Sequence, residues 1–125
     1  MTPNNVGASG ELYAQYRMAT WGITSGMPAQ HASAYDLMIE HAGDLYTVQV
    51  KSAGAPGADG IYRFHTGGSD ALLWCYVAVD KEVLTFEPGP RASVPAHRRQ
   101  RRWEHQSYLL AVDALQRDWT EKKWK

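Results

Sequence analysis

The side chains best placed to do chemistry lie in one stretch, Tyr35-Asp36-Leu37-Met38-Ile39-Glu40-His41-Ala42-Gly43-Asp44-Leu45-Tyr46-Thr47-Val48-Gln49-Val50-Lys51. Residues two apart on a strand share a face, so Gln49 and Lys51 point together while Val48 and Val50 point the other way. If Asp36 begins the preceding strand, a short hairpin brings its carboxylate beside both. A carboxylate, an amide oxygen and an ammonium would then converge at one end of a sheet. Asp36 and the Gln49 carbonyl are hard oxygen donors of the kind that suit Mg²⁺, which keeps waters and takes phosphate oxygens for its other positions. Lys51 could orient or deprotonate an attacking water, or stabilise charge on a phosphate. On residue types alone the same pair also fits the solvent face of a half-exposed sheet.

That constellation needs a hairpin, and the flanking patterns supply one. Residues 35–40 and 45–51 read as two strands, joined by His41-Ala42-Gly43-Asp44 with its glycine near the end. Before them, Gly10 to Gly22 reads as a helix capped by Ser9, with Leu12, Tyr16 and Ala19 as the buried face and Glu11 in the first turn. Residues 1–9 read as a polar lead-in, and 23–34 as an extended connection. Residues 52–60, rich in Gly, Ala and Pro, read as a loop. Residues 61–65 make a short strand, 72–79 an apolar strand, and 82–86 its partner. The last 23 residues carry apolar side chains at 108, 109, 112, 115 and 119, the spacing of an amphipathic helix. Helix, strands, helix implies an α/β or α+β domain on a mixed central sheet.

At 125 residues with 44% apolar side chains, one ordered domain is expected. The single cysteine, Cys75, excludes a disulfide framework and a cysteine-based zinc site, and its apolar run reads as core. His31, His41, His65, His97 and His105 form no close ligand pair, which argues against zinc or heme. No basic-then-apolar leader and no long apolar run is present, so a soluble, cytoplasmic protein is expected. Net charge is zero, yet residues 1–90 hold nine acidic and four basic side chains, and residues 91–125 hold four and nine. The basic run Arg98-Arg99-Gln100-Arg101-Arg102, with Arg91, is either a phosphate-contacting flank or a solvated lead into the last helix.

The motif Asp36, twelve residues, Gln49-Val50-Lys51 resembles the PD-(D/E)XK nuclease signature, in the homing-endonuclease subgroup where Gln replaces the acidic residue. Gly10-Glu11 is similar to the opening of the first helix in these nucleases and in archaeal Holliday junction resolvases. The segment SDALLWCYVAVDKEVLTFEP resembles the strand pair that follows their active site. The resemblance spans roughly residues 8–90 and leaves a basic helical extension at 91–125. It implies a restriction-endonuclease-like α/β fold, a mixed central sheet flanked by helices. It implies Mg²⁺-dependent hydrolysis of double-stranded DNA, Mn²⁺ being a possible substitute, by a homo-oligomer, dimer or tetramer. Asp36, Gln49, the Val50 carbonyl and Glu11 would hold the metal, and Lys51 would be the catalytic lysine. Arg91, Arg98, Arg99, Arg101 and Arg102 would meet DNA phosphates. The chain departs from the signature in having Tyr35 where Pro usually precedes the Asp, and a neutral Gln49. The alternatives are a junction resolvase, a non-cleaving DNA-binding module of the same fold, and an interaction protein that binds no DNA.

Overall fold

A computed structural model describes residues 3–26, 36–64, 70–89, 93–95 and 100–123. The chain order is α1 (Pro3–Thr20), β1 (Ser25–Gly26), β2 (Leu37–His41), β3 (Asp44–Ala53), β4 (Ile61–Arg63), β5 (Leu73–Ala78), β6 (Val83–Glu87), β7 (Ser93–Pro95) and α2 (Gln100–Lys123). Five strands form one mixed sheet in the order β1-β2-β3-β5-β6, with β3 and β5 parallel and the other pairs antiparallel. β4 and β7 pair antiparallel as a separate ribbon.

The β2–β3 hairpin turns at Ala42-Gly43, where both residues have positive φ (52° and 87°). That is the signature of a type I′ turn, whose twist matches the flanking strands. The connection is thus tighter than the four-residue loop expected from sequence, and β3 runs on to Ala53. Ala42 bears a left-handed conformation that a non-glycine residue adopts at a cost of roughly 1–2 kcal/mol. Ala42→Asn, which creates the Asn-Gly pair this turn favours, is therefore expected to stabilise the fold by about 1 kcal/mol. A higher urea midpoint with an unchanged slope would show it; an unchanged or lower midpoint would count against the turn.

Inward-facing residues of the sheet form the main core with Ala14 and Met18 of α1 and Tyr108, Ala111 and Val112 of α2. Both helices therefore lie on one face of the sheet. The opposite face is covered by Tyr62 of β4 against Ala78 and Val83, and by Phe64 against Trp74 and Tyr76. This explains why all six residues of β5 are buried, Cys75 among them. The ribbon was not legible in the sequence, because Ser93–Pro95 ends in proline and pairs with residues some thirty positions earlier.

α1 begins at Pro3, seven residues before the expected start, so the polar lead-in is helix from Pro3 onward and Ser9 sits inside the helix rather than capping it. Proline suits a first helical turn, where its missing N–H would have no partner anyway. The buried face is also different: Gly10, Ala14 and Met18 face the sheet, whereas Leu12 is 67% and Tyr16 61% exposed, with Ala19 exposed as well. Small residues let the helix axis come close to β3. A Cβ on Gly10 would stand 2.8 Å from the Ser52 Cβ.

α2 does not extend a finished core; it completes it. Tyr108, Ala111 and Val112 are buried, Leu115 packs against them, and Leu109 stays half exposed. Tyr108, Ala111, Val112 and Leu115 thus pack on the helix's own sheet, chiefly over β6, while the Trp119 side chain lies outside the described residues. Ser107 covers the edge strand: its Oγ accepts the Phe86 N–H at 3.0 Å. The buried Glu104 ties α2 to α1, accepting the Tyr13 hydroxyl at 3.0 Å with the Arg17 Nε at 3.7 Å. Among the described residues no helix is long and apolar enough to cross a membrane.

Candidate active site

The residues singled out by type and spacing meet where β2 stops and β3 continues. β2 pairs with β3 only as far as Leu37 opposite Val48. Asp36 stands one residue before β2, its backbone N–H donating to the Val48 carbonyl at 2.9 Å. Its carboxylate then takes over the next place along the edge: Oδ2 accepts the Val50 N–H at 2.9 Å and the Gln49 Nε2 at 2.7 Å. The expectation that Asp36 begins the strand is thus corrected by one residue, for a physical reason. Its side chain replaces the backbone acceptor that would have prolonged the ladder.

Two consequences follow for oxygen donors. Both polar groups of a strand residue point to the same neighbour, so the Val50 carbonyl projects from the edge on which its N–H meets Asp36, beyond the end of β2. Gln49 donates its NH₂ to Asp36, which leaves its carbonyl oxygen as the group open to a cation. Gln49 and Lys51 share the face away from the helices, while Val48 and Val50 are buried in the core, as the alternation requires.

Glu11 enters from α1, on its third turn rather than its first. Its carboxyl is held above the ordinary carboxylate range by partial burial, by the nearby negative charge of Asp36 and by a hydrogen bond to Asp36. Glu11, Asp36, Gln49, Val50 and Lys51 all line one cleft of about 710 Å³, together with Val6, Gly7 and Ala8 of α1 and with Ser52 and Gly54. The structure therefore brings together every residue of the expected centre. Two carboxyls that repel one another, an amide oxygen and an edge carbonyl make a donor set that fits a hard divalent cation, whose charge would relieve that repulsion.

The expected phosphate contacts are a different matter. Arg91, Arg98 and Arg99 lie outside the described residues, as do His31, His65 and His97. Arg101 and Arg102 stand in the first turn of α2. His41 bonds the Tyr108 hydroxyl at 3.0 Å and His105 stacks on Trp21, and neither lines the cleft. Among the described residues no cluster of three or more His, Cys, Asp and Glu side chains is placed to hold a metal. The candidate centre escapes that description because two of its donors are an amide and a backbone carbonyl.

Sequence reasoning missed two contributors. The Val6-Gly7-Ala8 wall was hidden by the late helix start, although the Thr-Pro pair at positions 2 and 3 is a helix-start signal. Trp74, read only as core, lies beneath Lys51, with Nζ 5.9 Å from its ring centroid.

Comparison with solved structures gives a match to a bacterial homing endonuclease, I-Ssp6803I, at a TM-score of 0.71 and 18% identity, covering 95% of this chain and 98% of that one. At that identity the likeness establishes the fold, the α/β restriction-endonuclease-like architecture expected from the motif. Among curated proteins no sequence matches. Residues 1–72, more than half of the chain and including Glu11, Asp36, Gln49 and Lys51, match the sequence profile of one family. The chain belongs to the PD-(D/E)XK endonuclease family.

Proposed function

We propose that this protein is a Mg²⁺-dependent DNA endonuclease of the site-specific, homing type, with Glu11, Asp36, Gln49 and Lys51 as its active site. The observation that carries the reading is the substitution of the Asp36 carboxylate for backbone pairing at the end of β2. It holds Gln49 by its NH₂ and opens the Val50 carbonyl at the same point. Asp36, the Gln49 oxygen, the Val50 carbonyl and Glu11 would hold the cation. When bound, the ion supplies Lewis acidity toward a phosphate oxygen and makes water a stronger acid. Lys51, on the same face as Gln49, orients the attacking water or offsets charge on the phosphate.

The homing-type assignment draws on the family and on the structural neighbour's own description. Mn²⁺ is the expected substitute, since it accepts the same oxygen donors. The basic residues Arg91, Arg98, Arg99, Arg101 and Arg102 would supply salt-dependent contacts to duplex phosphates, which position without reading sequence. A duplex has two strands, so a symmetric homo-oligomer presenting two sites is the natural working form.

The test is a cleavage assay on a pool of supercoiled plasmids carrying randomised inserts. With Mg²⁺, selected plasmids should become nicked and linear; with EDTA, none should. Cleavage that persists in EDTA would overturn the metal-dependent reading. Absence of both cleavage and Mg²⁺ binding by calorimetry would overturn the nuclease reading altogether.

A further inference from the structure

We propose that Trp74 is the positioning residue of this centre: its indole face holds the Lys51 ammonium over the cleft. The inference rests on the reading of Lys51 as the group that acts at the phosphate.

A lysine stem has four rotatable carbons, and a catalytic ammonium on such a stem needs something to hold it in place. Salt bridges do this elsewhere, but a carboxylate partner would also cancel the charge that a phosphate must meet. Among the described residues Lys51 has no ion-pair partner. Its Nζ lies 5.9 Å from the Trp74 ring centroid, within the range at which the negative face of an indole attracts a cation. An aromatic face holds the ammonium without neutralising it.

The register makes this contact a property of the sheet. β3 and β5 run parallel with Gln49 level with Trp74 and Lys51 level with Tyr76, so all four side chains share one face. The ring itself is fixed. Trp74 is 2% exposed, and its Nε1 donates to the Ala71 carbonyl at 3.1 Å. It lies nearly parallel to Tyr76, at 6.4 Å and 21°, and Tyr76 packs against Phe64 at 4.8 Å. The stack Phe64-Tyr76-Trp74 therefore transmits the rigidity of the strand core to one flexible side chain.

Two measurements test this, one needing no DNA. In protein made with ¹³C-lysine, an ammonium held over an indole face gives ε-methylene protons shifted upfield by the ring current. One of the five lysines should show that shift. The signal should vanish in Lys51→Arg, persist in Trp74→Phe and return to the exposed-lysine position in Trp74→Leu. Both variants lose the indole N–H and leave a void, and a ring-current shift arises only from an aromatic ring, so a difference in the lysine signal reports the ring. In Mg²⁺ cleavage of the plasmid pool, Trp74→Leu should lower kcat about tenfold with KM for DNA unchanged, and Trp74→Phe should restore most of the rate. No upfield lysine signal, or, where the native protein cleaves, equal rates for the Leu and Phe variants, would overturn the proposal. Native protein and Lys51→Ala run alongside separate the two readings. If both cut equally, or neither cuts, the role of Lys51 fails while the lysine spectrum still decides whether Trp74 holds it.

Discussion

Asp36→Ala is expected to abolish both metal binding and DNA cleavage, lowering the rate by about 10³-fold or more, while Lys51→Ala loses the rate but keeps the metal. The two variants separate because the two side chains stand differently. Asp36 is a donor to the cation and also the acceptor that fixes two others: its Oδ2 takes the Gln49 NH₂ and the Val50 N–H. Its removal frees the Gln49 amide to rotate and leaves the Val50 edge without its partner. It also takes away the charge that makes Glu11 hold its proton more tightly. Three oxygen donors are thus disturbed by one substitution. Among the described residues the Lys51 side chain makes no hydrogen bond or ion pair to these groups; it lines the same cleft and lies over Trp74. Losing a group that moves a proton or offsets phosphate charge typically costs about 10²–10⁴-fold in rate. Calorimetric Mg²⁺ titration beside single-turnover cleavage reads both effects. Asp36→Asn sharpens the comparison, since its amide oxygen still accepts hydrogen bonds but carries no charge. It should stay folded, bind metal weakly and cut no faster than Asp36→Ala. An Asp36→Ala protein that cleaves within tenfold of the native rate would place the centre elsewhere.

The legibility of this centre in the sequence follows from where its geometry is local. Gln49 and Lys51 sit two apart on a strand, and the alternation of Tyr46, Val48 and Val50 with Thr47, Gln49 and Lys51 fixes their common face without any tertiary information. The tight turn at Ala42-Gly43 then places Asp36 opposite. What was not legible depends on long-range packing. Asn4, Asn5, Gly7 and Gly10 are poor helix formers, and propensity argues for starting the helix late. The sheet overrides that preference because small side chains are what fit against β3. The same contact reverses the expected buried face: side-chain size points to Leu12 and Tyr16, while close approach selects Gly10 and Ala14. Trp74 belongs to a parallel neighbour of β3, and the register of a parallel pair separated by some twenty residues leaves no trace in either strand. Its place beneath Lys51 could be seen only once the strands were aligned.

The close approach of α1 to β3 carries the other large effect: Gly10→Ala is expected to destabilise the fold and to lower cleavage by about 100-fold. Two opposing contributions set the sign for stability. Alanine is the better helix former, by about 1 kcal/mol. Against this, the new Cβ would lie 1.7 Å from the Ser52 Oγ and 2.8 Å from the Ser52 Cβ. The hydroxyl can rotate away, but the Cβ belongs to the strand and cannot. At Ser52, β3 is paired with β5, Ser52 standing opposite Val77 in the middle of the sheet, so the strand has little freedom to yield. The helix must move instead, and overpacking of this kind costs about 1–3 kcal/mol, enough to outweigh the gain in propensity. Glu11 is the next residue along α1 and moves with it, away from Asp36. A shift on the order of 1 Å at a catalytic group can cost about 10²-fold in rate, which makes activity the more sensitive readout. Changes at position 52 discriminate the cause. Ser52→Ala keeps the offending Cβ and should rescue nothing. Ser52→Gly removes it and should restore cleavage in the Gly10→Ala background, even though glycine in a strand itself lowers stability. Full activity in Gly10→Ala alone, or equal rescue by Ala and Gly at position 52, would mean that this contact does not set the position of Glu11.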